Sequence, residues 1–588
     1  LNFIDWLIVI GLNGGIIGYG FYLARGVRSS ADWFLAGRQL PWWIVGLSMY
    51  ATAIDASDLI ADSGATYTLG FRYFVANMVG IVAGWALAAY FVFLPMYRAG
   101  MYTNAEYLEA RYGPTARVLC AFVQVQYRTL VLGIMGVSLC WTLNVVCGWD
   151  QSRAMLTVAG VAIFASIYTA CGGLRSVAVT DVLQFVVMTL AALIIWFIVF
   201  GKVGGWSGVE ERLTRADPEL EQLLHVGSDL PSVEDVSQST QQQIDRKLLL
   251  GGVYRAEDGT ITRRTPSWVF ALGFLILGIG YSIVNHTQSM RMFASKSEWD
   301  LKMSVVVAGL AMIVMSYFNL TMGILGRAWV PDQTTLPGGN HDKIYPFLVS
   351  QIETIGLKGI VVAGIFAASF STYDSIGSSL SALLTRDVYA RLFVRDRDDH
   401  HYLRVGQWLT PVVIGISFLY VPFLLEGDML LKFFALTSTF VVPLLTLFIM
   451  GRFTRVHRSS GVIGLFIGSA YGIVRLSAPL IAEKWGVAIL PSFMVDQYAA
   501  YPLAMLITAA SMLLVSLVRG FEPRGAALGS GYEEQGAWLR SSRRAVQDLK
   551  REEAAAPAAS PGARRPTPAV LVCLVLALGC YLCFIQFW

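Results

Sequence analysis

Three aspartates punctuate the otherwise apolar and small-residue stretch "YATAIDASDLIADSG" (residues 50–64). Asp55, Asp58 and Asp62 fall at i, i+3 and i+7, so a helix presents all three on one face. A second anomaly is "FAASFSTYDSIGSS" (366–379), with six serines and threonines and one aspartate. There Ala368, Ser371, Thr372 and Ser375 share a helical face, Ser378, Ser379 and Ala382 continue it, and Asp374 sits at its edge. Small residues in a stripe let helices pack closely, but packing gives no reason for a carboxylate. In lipid a carboxylate costs roughly 3 kcal/mol or more. These acids must therefore face a cavity, a cation or a basic partner, for which Arg72 and Arg128 (in "VQVQYRTLVLG") are candidates. Hydroxyls, carboxylates and carbonyls freed by an interrupted helix are the hard oxygen ligands of a small alkali cation. "ATAIDAS", polar and poor in strong helix formers, suits such an interruption at mid-membrane.

The elements that must position these residues are membrane spans. Of 588 residues 55% are apolar and only 14% charged, against about a quarter charged in a soluble chain. Apolar runs long enough to cross a bilayer number fourteen between residues 3 and 588. The first, Phe3 to Leu23, reads as a retained span followed by Arg25 and Arg28. The predicted fold is thus an all-α polytopic membrane protein. The ninth run, 344–385, is long for one helix and predicts an interfacial lead-in around Tyr345 to Lys358.

Charge orients the bundle. Arginine and lysine gather after the odd-numbered runs, as in Arg25, Arg28 and Arg38, then Arg98, Arg111 and Arg117, then Arg291, Lys296 and Lys302. Those loops are predicted to be cytoplasmic, which leaves both termini extracytoplasmic. The net charge of +4 is accounted for by these loops, and no basic stripe suggests a nucleic-acid partner. The seven cysteines lack metal-type spacing and read as small buried hydrophobes. Two polar segments stand apart. Residues 204–266 are external by this orientation, with helical periodicity in "VEERLTRADPELEQLL". Residues 519–567 form a cytoplasmic linker ending in the Ala/Pro-rich tract "AAAPAASPGARRPTPA", whose composition predicts partial disorder. Neither carries a phosphate loop or metal motif, and the spans hold no nucleophile–base pair, so an enzyme is not expected.

Several motifs are colinear with a known family. "FLAGRQLPWWIVGLSMYATAIDAS" (34–57), "YTACGGLRSVAVTDVLQF" (168–185), "GLKGIVVAGIFAASFSTYDSIGSSLSALLTRDVY" (356–389) and "GRFTRVHRSSGVIG" (451–464) resemble signatures of the solute:sodium symporters. The resemblance covers most of residues 1–480. It implies a LeuT-type fold of two five-helix inverted repeats, 41–203 and 267–450. Around them lie a flanking helix and loop (1–40), the external insertion (204–266), additional spans (451–518), the linker (519–567) and a last helix (568–588).

By the same resemblance, a main sodium site uses the carbonyls of Ala51, Ile54 and Ala368 with the hydroxyls of Ser371 and Thr372. A second ion site falls on Asp181, Asp374 and Ser375, unless Asp181 is paired with Arg175 or another cytoplasmic-side arginine. Asp374 stands where the family usually has a small or hydroxyl residue. The solute positions depart from the family's sugar carriers: Asp58 and Asn77 replace a glutamine and an acid, Gly278 replaces an asparagine, and Tyr281 keeps the gating tyrosine. Asp58 and Asp62 favour an amine-bearing solute, Arg128 a carboxylate, and a zwitterion suits both. The implied activity is sodium-coupled import of a small organic solute by alternating access, with one or two Na+ and a bacterial inner membrane as the setting. Proton coupling through Asp181 or Asp374, and sensing through the 519–567 segment, are the rival readings.

Overall fold

The computed structural model describes residues 1–227, 252–255, 261–425, 429–523, 536–555 and 566–588. Among these residues, 12 helices are long and apolar enough to cross a membrane. Two further crossings are concealed in that number. Gln151–Val203 runs for 53 residues, about 80 Å at 1.5 Å per residue, far more than one bilayer core of about 30 Å. It is two spans joined at Gly173, whose φ of 58° is non-helical. A Cβ there would lie 2.7 Å from the Trp33 carbonyl oxygen, so only glycine can turn the chain at this corner. The other concealed crossing is Trp42–Leu69, broken into Trp42–Ala51, a π-helical turn Asp58–Asp62, and Ser63–Leu69. The total agrees with the fourteen apolar runs.

The break recurs. Ser267–Val284 stops at Asn285, which is extended (ψ 107°), and the helix resumes as His286–Phe293. Leu40, at the start of the first broken crossing, exchanges backbone bonds with the end of the second. Its N–H donates to Ala294 O at 3.1 Å, and Lys296 N–H donates to its carbonyl at 2.9 Å. The two broken helices therefore run in opposite directions, as expected of the opening helices of two inverted repeats. Discontinuous backbone at this depth is tolerated because it is buried in protein: residues 48–57 are all buried.

Three details refine the expectation. The lead-in to the ninth run is a separate short helix, Ile344–Ser350, and the span proper continues to Phe393. The 204–266 segment holds a helix, Gly205–Ala216, and a two-stranded antiparallel hairpin pairing Gly252–Arg255 with Ile261–Arg264. Within the linker, Ala537–Ala555 is a helix, since Trp538, Leu539 and Val546 make one apolar face that buries itself. Most of the Ala/Pro-rich tract (556–565) lies outside the described residues.

Below the bundle, on the arginine-rich side, buried ion pairs tie the short helix Asn104–Tyr112 to the end of the ninth span. Arg117 reaches Asp387 at 2.6 Å and Glu109 at 2.8 Å, and Arg391 reaches Glu109 at 2.6 Å.

Candidate functional site

The first break begins where Ala53 and Ile54 N–H both donate to Tyr50 O, at 2.8 and 3.2 Å, and the chain then extends. Asp55 restarts the helix. Its Oδ1 accepts the N–H of Ser57 at 2.7 Å and of Asp58 at 3.3 Å, while Asp58 Oδ2 accepts the N–H of Asp55 at 2.7 Å. This reciprocal arrangement is a capping box. Two of the three conspicuous acids thus satisfy the orphan donors of a helix start inside the membrane.

Opposite the break runs the serine-rich face of Leu357–Leu383. Ser371 Oγ lies 2.8 Å from both Ala51 O and Ala368 O. One hydroxyl proton cannot serve two carbonyls at once, so three oxygens converge with too few donors among them. Beside them Thr372 is fully buried, and its Oγ1 has no hydrogen-bond partner. Ile54, 4% exposed, belongs to the extended segment of the break. Hard oxygens short of protons fit a small alkali cation.

The second set of predicted ion ligands does not assemble. Asp181 Oδ2 accepts from Arg291 Nη2 at 2.9 Å and from Ser48 Oγ at 2.5 Å. Arg291 also donates to Ser48 Oγ at 2.7 Å, to Thr287 O at 2.9 Å, and to Ser375 Oγ. A guanidinium, not an open seat, faces Asp181 and Ser375. Asp374 is held apart, because one residue along a helix turns it away from Ser375 and toward Gln151–Val203. There its Oδ1 accepts from Thr169 Oγ1 at 2.6 Å, and its Oδ2 has no partner. The sequence marked Arg291 only as a loop charge, although its place in "NHTQSMR", in the second half of a broken helix, could have flagged it.

Above this layer lies a cavity bounded by Asp55, Asp58, Asp62, Asn77, Arg128 and Tyr281, with Tyr73, Phe433 and aliphatic side chains completing the wall. Five of the predicted solute residues therefore share one chamber. Asp62 is oriented by Tyr73 Oη at 2.8 Å and Asn77 Nδ2 at 3.3 Å. The Arg128 guanidinium lies over two rings, 5.6 Å from that of Tyr127 and 5.7 Å from that of Tyr281. Tyr281 Oη donates to Thr52 O at 3.4 Å, placing the ring between the cavity and the Arg291 layer. Gly278 is small for a packing reason: a Cβ there would lie 2.4 Å from the Gly80 carbonyl carbon. Tyr73 and Tyr127 were not singled out by the sequence, since a tyrosine in a span is usually packing.

Comparison with known proteins accords with this architecture. A solved Na+-coupled sialic acid symporter superposes with a TM-score of 0.72 over 89% of this chain and 99% of that one, at 19% identity. The sodium/glucose cotransporter of Vibrio parahaemolyticus is 27% identical over 500 residues, 82% of this chain and 86% of its own. The human sodium/myo-inositol cotransporter is 26% identical over 482 residues, 78% of this chain and 64% of its own. The family model for the sodium:solute symporters matches residues 33–468, and the chain belongs to the sodium:solute symporter family.

Proposed function

We propose that this integral membrane symporter couples inward sodium flow to uptake of a small polar organic solute through the cavity above Tyr281. The observation that carries the ion assignment is Ser371 Oγ, held between the carbonyls of Ala51 and Ala368 beside the unpartnered Thr372 hydroxyl. Sodium at Ala51, Ile54, Ala368, Ser371 and Thr372 bridges the broken helix to the ninth span. It thereby stabilises the arrangement in which Asp58, Asp62, Asn77, Arg128 and Tyr281 face the solute. The cavity lies on the side of the break toward Leu69, away from the arginine-rich loops, while Arg291, Asp181 and Ser48 close the opposite side. With the arginine-rich loops cytoplasmic, that is an outward-facing geometry, with both termini outside the cytoplasm. Return to the inward-facing state requires the Arg291 layer to part. The two broken helices that open the repeats at 41–203 and 267–450, tied to each other at Leu40, supply the body that rocks against the rest of the bundle.

One sodium charge moving down 100 mV contributes about 2.3 kcal/mol, nearly two powers of ten in solute gradient. The Arg291–Asp181 pair favours a single sodium, because the guanidinium already neutralises the acid of the other candidate site. Proteins similar to this one are named for glucose and myo-inositol, but Asp58 and Arg128 give this cavity a charged lining. Proteoliposomes loaded with a potassium buffer and diluted into sodium provide the test. Solute accumulation should require external sodium and rise with an inside-negative potential. Accumulation driven equally well by a pH gradient in choline would overturn sodium coupling in favour of protons.

A further inference from the structure

We propose that the solute is a small zwitterion, its carboxylate held by Arg128 and its ammonium by Asp58 with Asp62. The inference rests on the reading of this cavity as the solute site. Arg128 is only 2% exposed and its Nε has no hydrogen-bond partner. Asp55 and Asp58 act on it electrostatically, but among the described residues no carboxylate comes within ion-pair distance of it. Tyr127 and Tyr281 offer it ring faces, which ease a buried cation but accept no bidentate hydrogen bond. A buried guanidinium that lines a cavity without a carboxylate in direct contact has its fork free to take an anion from outside the chain.

The usual alternative seat for a solute carboxylate in a broken-helix transporter is the start of the second half-helix. Here that seat is filled from within, since Asp55 caps the Ser57 and Asp58 N–H groups. An incoming carboxylate is thus directed to Arg128. The acidic pole is equally specific. Asp58 spends one oxygen on the Asp55 N–H and remains partly exposed to the cavity. Asp62 is aimed by Tyr73 and Asn77, each supplying one hydrogen bond to a carboxylate with further lone pairs to give. A neutral polyol leaves the Arg128 fork without a bidentate partner, a simple cation does the same, and a simple anion meets Asp58. Only a molecule carrying both charges satisfies both poles.

The test is thermal unfolding of the full-length protein in detergent with saturating sodium. The probes are the twenty common α-amino acids and γ-aminobutyrate, their amides as cations, their N-acetyl derivatives as anions, and glucose and myo-inositol as neutral compounds. The expected result is a rise in Tm with one or more zwitterions that neither their amides nor their N-acetyl forms reproduce. Arg128→Gln should weaken that response by at least about thirtyfold and admit the matching amide. Asp58→Asn should admit the N-acetyl form instead. Retention of the sodium-induced rise shows that a variant is folded, and Arg128→Lys, which keeps the charge but not the fork, should show an intermediate loss. A sodium-dependent response to glucose or myo-inositol overturns the proposal. So does a zwitterion response that both variants leave within about threefold, or silence from every zwitterion while sodium still stabilises the protein. Loss of the sodium response itself, in the unmodified chain, defeats the coupling assignment instead.

Discussion

Arg291 Nη2 stands 2.9 Å from Asp181 Oδ2, with both side chains fully buried. Ser48 joins the pair to the first broken helix, and Ser375 joins it to the ninth span. Four elements thus meet on one guanidinium on the side of the break opposite the cavity. A pair so placed is both a charge balance and a latch, because parting any of the four elements exposes two ions that were desolvated together.

Removing one partner should therefore be far worse than removing both. Arg291→Gln leaves Asp181 without its counter-charge, and a broken buried pair costs about 3–5 kcal/mol. Asp181→Asn should cost a similar amount. The double variant should recover most of the loss, giving a strongly non-additive cycle in thermal unfolding. Additive single effects would show that the two side chains do not stabilise one another.

Thr372 provides the sharper test of the sodium site. Its hydroxyl is fully buried without a partner, so Thr372→Val removes a ligand without orphaning a neighbour. Stability in potassium should stay within about 1 kcal/mol of the unmodified protein. The sodium-induced rise in Tm should shrink or vanish, since a ligand stabilises in proportion to RT ln(1 + [L]/Kd). Ser371→Ala should lose the sodium effect too, but at a cost in potassium, because two carbonyls lose their shared hydroxyl. An undiminished sodium effect in both variants would place the ion elsewhere.

How far the chain announced all this differs by element. Long apolar runs make spans legible, and even Trp42–Leu69, broken and carrying three acids, was recognisable as a crossing from its length and neighbours. The polar faces were legible too, because Ser371 and Asp58 have no business in lipid. What stayed hidden was pairing across distance. Asp181 and Arg291 are 110 residues apart, and no periodicity within one helix reports which arginine of another will enter it. Asp374 shows the converse limit. The family resemblance grouped it with Ser375 as a shared ligand, but successive residues on a helix diverge by about 100°, and Asp374 turned to Thr169. The roles of Asp55 and Asp58 were obscured because a capping box is written in the same letters as a cation site.

The helix Ala537–Ala555 docks across the arginine-rich face through Trp538. Its indole stacks on Tyr402 at 4.0 Å, and its Nε1 donates to Asp399 at 2.8 Å. Farther along, Arg543 Nε and Gln547 Nε2 donate to Ala99 O at 3.0 and 3.1 Å. The helix therefore spans from the end of the third crossing to the start of the tenth. Trp538→Ala, which removes a buried aromatic worth about 3 kcal/mol or more, should release it. Hydrogen exchange should accelerate across 537–555 while the transmembrane helices keep their protection. Unchanged exchange there would mean that the polar contacts at Ala99 suffice.

Glu109 should govern acid sensitivity on the same face. Burial acts to raise its pKa, but Arg391 at 2.6 Å and Arg117 at 2.8 Å outweigh that and hold it below the ordinary carboxylate value. A pKa depressed in the folded state adds stability that is fully present above the unfolded value, about 4.3 for glutamate. That stability is lost as pH falls through the folded pKa. At neutral pH, Glu109→Gln removes the counter-charge that Arg391 and Arg117 share and should cost about 3 kcal/mol. On acidification below about pH 4 the unmodified protein also loses the charge, so the gap between the two unfolding temperatures should narrow and close. In the variant at neutral pH, Arg117 still has Asp387 at 2.6 Å, so the loss falls mainly on the Arg391 side. A gap that stays constant from pH 7 to pH 3 would mean that Glu109 contributes through shape and hydrogen bonding alone, and that its charge is immaterial to the fold.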